Sequence, residues 1–193
     1  MLKWLVGSVL GVGGALAFYA RSRFHLPALI SPELKRRGLL RPPGSLPEPE
    51  FLTRCIRCQR CAQVCDTRAI RLLPGSSHLA DTPVIVAEEH ACNLCMRCGE
   101  ACPTGAIVAL TAKSEARMGT AVVDNDLCVS ANGSGICGAC YTACPLRGKA
   151  ITQGMHLSPT VHDEFCVGCG LCEEVCIVDR DKAIRVFSER RWL

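Results

Sequence analysis

Apolar residues follow two unlike patterns along this chain. At the start, Trp4 to Ala20 runs for 17 residues without a charge. That is the lower limit of length for a helix that crosses a bilayer, so residues 1–20 read as an uncleaved membrane anchor, a single transmembrane helix. Beyond residue 50 the pattern breaks into short β-branched runs, Val84-Ile85-Val86, Ala121-Val122-Val123 and Thr160-Val161, each ending near an acid. Such runs predict strands. A second signal keeps the same beat: Ala69-Ile70, Ala106-Ile107, Ala150-Ile151 and Ala183-Ile184 each follow a cysteine-rich stretch. The chain from 51 to 193 therefore reads as an internal repeat of strand, cysteine loop, short helix and strand. Between the two regimes lies a basic, Pro-rich linker, residues 21–50. Within it, Ser31-Pro32 through Gly38 predicts one short helix, and Arg41-Pro42-Pro43-Gly44 predicts a stiff approach to the repeat.

Composition then says what the loops are for. Only 5% of residues are aromatic, so large rings add little to a core, whereas 16 residues are cysteine. Cysteine at that density is a disulfide scaffold or a set of metal ligands. Spacing separates the two. Cys55, Cys58, Cys61 and Cys65 read CxxCxxCxxxC, as do Cys92, Cys95, Cys98 and Cys102, and again Cys166, Cys169, Cys172 and Cys176. Zinc sites combine two separated pairs rather than this run, and dense disulfides belong to short secreted modules. The run is the bacterial ferredoxin pattern for [4Fe–4S] clusters, in which the fourth cysteine ligates the neighbouring cluster. Cys128, Cys137, Cys140 and Cys144 form a stretched version, with eight residues between the first two. Four clusters need sixteen thiolates, so the count closes only if Cys128 is a ligand and Asn132-Gly-Ser-Gly135 is a flexible loop folding it back. The expected class is α+β, with two ferredoxin-like modules of two clusters each. Linker lengths leave adjacent and nested pairing of the motifs both open. The Cys-Pro endings shared by the second and third motifs, at Pro103 and Pro145, lean toward nesting, with the first motif joined to the fourth.

Charge narrows the function classes. The net charge of +4 is misleading, because residues 1–50 carry seven Lys/Arg against three acids and residues 51–193 carry fifteen of each. An oxidised cubane with its four thiolates carries ~−2, so four would add ~−8 to a neutral domain. That argues against nucleic acid as a partner. The basic residues after the apolar run, Arg21, Arg23, Lys35, Arg36 and Arg37, suit a membrane surface and point to its cytoplasmic side. Around the first motif stand Arg54, Arg57, Arg60, Arg68 and Arg71; around the fourth stand Asp163, Glu164, Glu173 and Glu174. Nearby positive charge stabilises the reduced cluster, so the first-motif cluster is expected to reduce more easily. The five histidines show no paired ligand spacing, no glycine-rich phosphate loop is present, and every cysteine is committed. The chain therefore reads as an electron-transfer protein without a small-molecule substrate site of its own, not as an enzyme. The competing reading is a maturation, assembly or redox-sensing factor whose clusters are structural.

Three segments add a family resemblance: Arg41-Pro-Pro-Gly44 leading to Phe51 and Cys55-Ile-Arg-Cys58, the stretched motif with Gly135-Ile-Cys137, and Pro159-Thr-Val-His162 ahead of Cys166. Over roughly residues 38–188 the chain resembles the MauM/NapG family of ferredoxin-type proteins. The resemblance implies four [4Fe–4S] clusters and a fold similar to the iron–sulfur beta subunits of the dimethyl-sulfoxide-reductase group, where pairing is nested. It also implies a polytopic, quinol-oxidising membrane partner and a downstream reductase or dehydrogenase system. Members of the family typically begin with a twin-arginine export signal, which implies a periplasmic location. Here Met1-Leu-Lys-Trp4 precedes the apolar run without an Arg pair, so charge and family point to opposite sides of the membrane.

Overall fold

The structure, a computed structural model, describes residues 36–179, 181–188 and 190. The apolar run Trp4–Ala20 lies outside the described residues; within them, no helix is long and apolar enough to cross a membrane. The short helix predicted from Ser31 to Gly38 lies mostly outside them too. Its last residues, Arg36 and Arg37, are helical, and Gly38 leaves the helix at φ +77° with its Cα packed against the Ser188 and Arg190 carbonyls.

Two modules of the same plan follow. The first holds α1 (Glu48–Arg54), α2 (Arg60–Gln63), β1 (Ile70–Leu72), β2 (Pro83–Ile85) and α3 (Arg97–Glu100). The second holds β3 (Thr120–Val123), α4 (Ala139–Ala143), β4 (Ile151–Gln153), β5 (Pro159–Val161), α5 (Leu171–Glu174) and β6 (Ile184–Phe187). In each, a hairpin joins two cysteine loops: β1 pairs antiparallel with β2 in the register Ile70↔Ile85, and β4 with β5 in the register Ile151↔Val161. In each, an outer pair closes the ends. In the second module that pair is β3 with β6, from Thr120↔Phe187 to Val123↔Ile184. In the first it shrinks to a single bridge, Ser45↔Ile107, flanked by Leu46 N–H to Ala106 O at 3.1 Å and Val108 N–H to Gly44 O at 2.8 Å.

The repeated Ala-Ile dipeptide sits where each chain leaves its cysteine loop. Ala69, Ala106, Ala150 and Ala183 are 1–3% exposed, and the isoleucines that follow are 2–8% exposed. Alanine leaves room for the loop to turn back, and each isoleucine contributes roughly 1.5–3 kcal/mol of apolar burial. The strands predicted before the second, third and fourth motifs are β2, β3 and β5.

Pairing is adjacent, not nested. Hairpins β1–β2 and β4–β5 tie the first motif to the second and the third to the fourth, and α2 packs on α3 as α4 packs on α5. The Cys-Pro endings carry no pairing information, because the position after the fourth cysteine serves local ends. In the first motif it is Asp66, which forms an ion pair with Arg97 of the second.

The stretch read as a linker is partly core. Residues 37–43 are buried and form a strap between the modules. Ile85 N–H donates to Leu40 O at 2.8 Å on one side, while Ser188 N–H donates to Arg37 O at 2.8 Å and Leu39 N–H to Arg190 O at 2.7 Å on the other. A buried charge needs a partner, and both strap arginines have one. Arg37 pairs with the fully buried Glu173. Arg41 pairs with Glu48, donates to Thr82 Oγ1 at 2.8 Å and Pro83 O at 2.7 Å, and stacks 4.6 Å above the Phe51 ring.

Candidate metal centres

Three of the cysteine loops share one backbone. At the second and third spacer positions of CxxCxxC, φ is +58° and +64° at Arg57 and Gln59, +57° and +62° at Leu94 and Met96, and +70° and +85° at Gly168 and Gly170. Four of these six residues carry side chains, at a cost of about 1–2 kcal/mol each. Successive N–H groups in such turns point into one concavity that favours negative charge. Backbone donors reach sulfur both from these turns and from the extended chain beside them: Leu94 N–H lies 3.4 Å from Cys92 Sγ, Ile107 N–H 3.4 Å from Cys102 Sγ, and Ala121 N–H 3.4 Å from Cys166 Sγ.

The sixteen cysteines gather into four quartets. Cys55, Cys58 and Cys61 share a cavity with Cys102. Burial pushes the Cys61 thiol up to about 11, and the charges of Cys55, Cys58 and Cys102 add to the shift. Burial also pushes Cys92 up to about 11, helped by Cys65 and Cys95, and Cys98 up to about 12, helped by Cys92 and Cys95; these four form the second quartet. Cys144 shares a cavity with Cys166, Cys169 and Cys172. Cys128, Cys137 and Cys140 share one with Cys176. Each quartet thus takes three sulfurs from one motif and the last from its neighbour.

These cavities have similar volumes, ≈ 370, ≈ 410 and ≈ 400 Å³, open solvent included. Their linings are apolar; Ala121, Ile151, Val161 and Val186 surround the Cys166 quartet. Among the described residues no group of three or more His, Cys, Asp or Glu is set to hold a single metal ion. Four soft donors around an apolar hollow, with N–H groups aimed at the sulfurs, fit a cubane cluster, whose charge those N–H groups offset.

The quartets stand in series. The helix α2, which carries Cys61, packs on α3, which carries Cys98; Cys169 O accepts from Cys92 N–H; and α4, which carries Cys140, packs on α5, which carries Cys172. The order is therefore the Cys55, Cys92, Cys166 and Cys128 quartets. At the centre, where the modules meet, Cys92 N–H donates to Cys169 O at 2.9 Å and Met118 N–H to Val167 O at 3.0 Å. No side chain fits there: a Cβ on Gly168 would lie 2.5 Å from Gly119 backbone, and one on Gly170 would lie 2.4 Å from Ala87 Cβ.

The stretched motif is knitted rather than loose. Ser130, 3% exposed, accepts from Cys137 N–H at 2.8 Å and donates to Cys137 O at 3.2 Å. Gly135 N–H donates to Val129 O at 2.9 Å, and Asn132 Nδ2 to Asp126 O at 2.9 Å. The loop expected to be flexible is pinned at both ends, which sets Cys137 beside Cys128. Nothing in the sequence marks Ser130. Two other polar contacts do have a signal in the sequence, a repeated threonine: Thr67 and Thr104, each two residues past a fourth cysteine, lie 3.6 and 3.8 Å from Cys65 Sγ and Cys102 Sγ. At Cys102, burial raises the pKa but hydrogen bonding from Ile107, Thr104 and Ala106 outweighs it, and the net shift is downward.

Comparison with known proteins places iron–sulfur domains on the same cysteine motifs. The sequence model of a 4Fe-4S dicluster domain matches residues 54–106 and 91–148, and that of a 4Fe-4S binding domain matches residues 166–179. The ferredoxin-type protein NapG of Escherichia coli is 39% identical over 162 residues, covering 76% of this chain and 69% of its own length. The methylamine utilization ferredoxin-type protein MauM of Methylorubrum extorquens is 40% identical over 166 residues, 80% of this chain and 74% of the relative. MauM of Methylophilus methylotrophus is 37% identical over 182 residues, 88% and 80% of the two chains. The chain belongs to the MauM/NapG family of ferredoxin-type proteins. As a member, it is an iron–sulfur electron-transfer protein that binds [4Fe–4S] clusters in ferredoxin-like modules.

Proposed function

We propose that each quartet holds one [4Fe–4S] cluster, four in all, ligated by Cys55, Cys58, Cys61 and Cys102; by Cys65, Cys92, Cys95 and Cys98; by Cys144, Cys166, Cys169 and Cys172; and by Cys128, Cys137, Cys140 and Cys176. The chain relays electrons between a quinol-oxidising membrane protein and a downstream redox system, and performs no substrate chemistry itself. When bound, the clusters supply one-electron oxidation and reduction. The residues of the chain do the rest: Val161, Ile151 and Val186 exclude water, backbone N–H groups offset sulfur charge, and Gly170 lets the second module approach Ala87 of the first. The series arrangement of the quartets across the Cys92–Cys169 junction carries this reading, since sites that only stabilised the fold would not need to approach one another end to end.

The apolar run Trp4–Ala20 attaches the chain to the membrane, and its basic flank supports a cytoplasmic cluster domain. Anaerobic purification of the full chain with iron and sulfide assay tests the count: about 16 iron atoms are expected from four cubanes, and about 12 would remove one quartet. Dithionite titration followed by electron paramagnetic resonance should show reversible reduction. Clusters that cannot be reduced reversibly would make them structural and overturn the relay. Partners retained on purification should include a polytopic membrane protein, and reporter fusions at the C-terminus should report the cytoplasm.

A further inference from the structure

The four cysteine loops differ in what covers them. Where the second and fourth motifs carry Leu94, Met96 and Val167, those side chains are 3%, 9% and 4% exposed. At the matching positions of the first motif, Ile56 is 63% exposed, and Arg57 and Gln59 are exposed with Cys58 and Arg60. The backbone is the same in both, so the difference is surface rather than fold. The charges differ as well. Nearby arginines are mostly neutralised: Arg54 by Glu50 at 2.7 Å, Arg71 by Glu89 at 3.0 Å, and Arg97 by Asp66. Arg57 instead donates to Ala80 O at 3.0 Å and His78 O at 2.8 Å, contacts that fix it but leave its charge uncompensated. Arg60 has no ion-pair partner among the described residues. One carboxylate, Asp81, lines the same cavity as Arg57.

We propose that the Cys55–Cys61 loop is a docking surface for an acidic electron-transfer protein, one whose redox centre is ringed by carboxylates. This deepens the relay reading above and rests on it. Arg57, held by two carbonyls, and the exposed Arg60 flank an exposed ligand-type sulfur at one end of the series, and Ile56 offers an apolar contact beside them. Opposite charge steers encounter and orients the partner, and Cys58 at the surface shortens the path into the terminal quartet. A lipid surface would also attract the cations but gains nothing from an exposed sulfur.

The test uses the cluster-loaded full chain in detergent, with reduced flavodoxin as an acidic protein probe and the methyl viologen radical as a small cationic one. Reduction by flavodoxin, followed by stopped flow, should slow with rising salt. In Arg57→Glu/Arg60→Glu it should fall at least about tenfold at low salt and lose that salt dependence, while viologen reduction does not slow. Arg60→Glu alone, which breaks no contact, should move the same way to a smaller extent. Association of the chain with immobilised flavodoxin, read by interferometry without electron transfer, should weaken in parallel. Unchanged flavodoxin rates and binding overturn the docking surface alone if viologen still reduces the clusters. Failure of both probes with native chain overturns it together with the relay. Intact flavodoxin rates with weakened binding to phosphatidylserine vesicles would make the patch a lipid contact, which also overturns it.

Discussion

Single side chains tune sites that the cysteine spacing only locates. Thr67 and Thr104 place hydroxyls beside Cys65 and Cys102, whereas the matching positions in the second module are Leu146 and Val178. A hydroxyl donated to a thiolate draws charge from it and raises the potential of the cluster it ligates. A difference of about 1 kcal/mol corresponds to roughly 40 mV for one electron. Thr104→Val should therefore lower one midpoint by about that amount and leave the rest in place. Because Cys102 sits with Cys55, Cys58 and Cys61, the shifted signal should be the one that Cys58→Ser also alters. If Thr104→Val instead moves the signal altered by Cys95→Ser, the quartet assignment is wrong. Ser130 does a different job. Ser130 is buried and its two bonds to Cys137 are half-buried, and leaving such groups unpaired costs about 1–3 kcal/mol. Ser130→Ala should speed loss of one cluster to a chelator, and Cys128→Ser should take iron from about 16 to about 12 per chain; retention of all four in Cys128→Ser would make the stretched motif incomplete.

At the scale of elements, the repeat was legible and its assembly was not. The Ala-Ile dipeptides and the β-branched runs located β1 through β6 because a strand leaving a tight loop needs a small residue and then a core residue. Pairing depends on contacts far apart in sequence, the closure of residues 44–46 on 106–108 and of β3 on β6, which no local pattern records. The same holds for the strap, since Arg37 finds Glu173 136 residues away. Proline and charge made residues 37–43 look like a spacer. In the fold those charges are buried and matched. The strap and the glycine contact between loops hold the two modules together, and each can be broken separately. Gly170→Ala forces a Cβ into Ala87 at a φ of +85°, a strain of about 1–3 kcal/mol. Both modules should keep their clusters while magnetic coupling between the second and third quartets weakens. Arg37→Ala, which leaves Glu173 without its cation, should cost about 3–5 kcal/mol and separate the thermal unfolding of the modules. A single unfolding transition at the native temperature would show that the strap is not what joins them.

For the molecule as a whole, the buried thiols are part of the core and, on the proposed reading, of the cofactor sites as well. Cys61, Cys92, Cys98 and Cys169 are 7–9% exposed and pack among Leu40, Phe51, Ile85 and Ile184. Removing the iron leaves hollows lined by thiols where the core needs bulk, and coupling of ligation to folding predicts a largely unfolded apo chain. What structure survives has a defined pH dependence. Burial raises Cys61, Cys92 and Cys140 to about 11 and Cys98 and Cys169 to about 12, against 9.0 for the same thiols when free. Above pH 9 the unfolded chain loses these protons first, so it binds fewer than the folded one and stability falls as pH rises. The apo fold should be at its most stable below pH 9 and fade between 9 and 12, at about 1.4 kcal/mol per unit for each such thiol. The loaded protein should not share this loss, because its thiols are already deprotonated by iron, and loading should release protons throughout the neutral range. Circular dichroism of chelator-stripped and loaded protein across pH 7 to 12 measures both arms. Equal alkaline loss in the two would mean that the quartets are not held by metal.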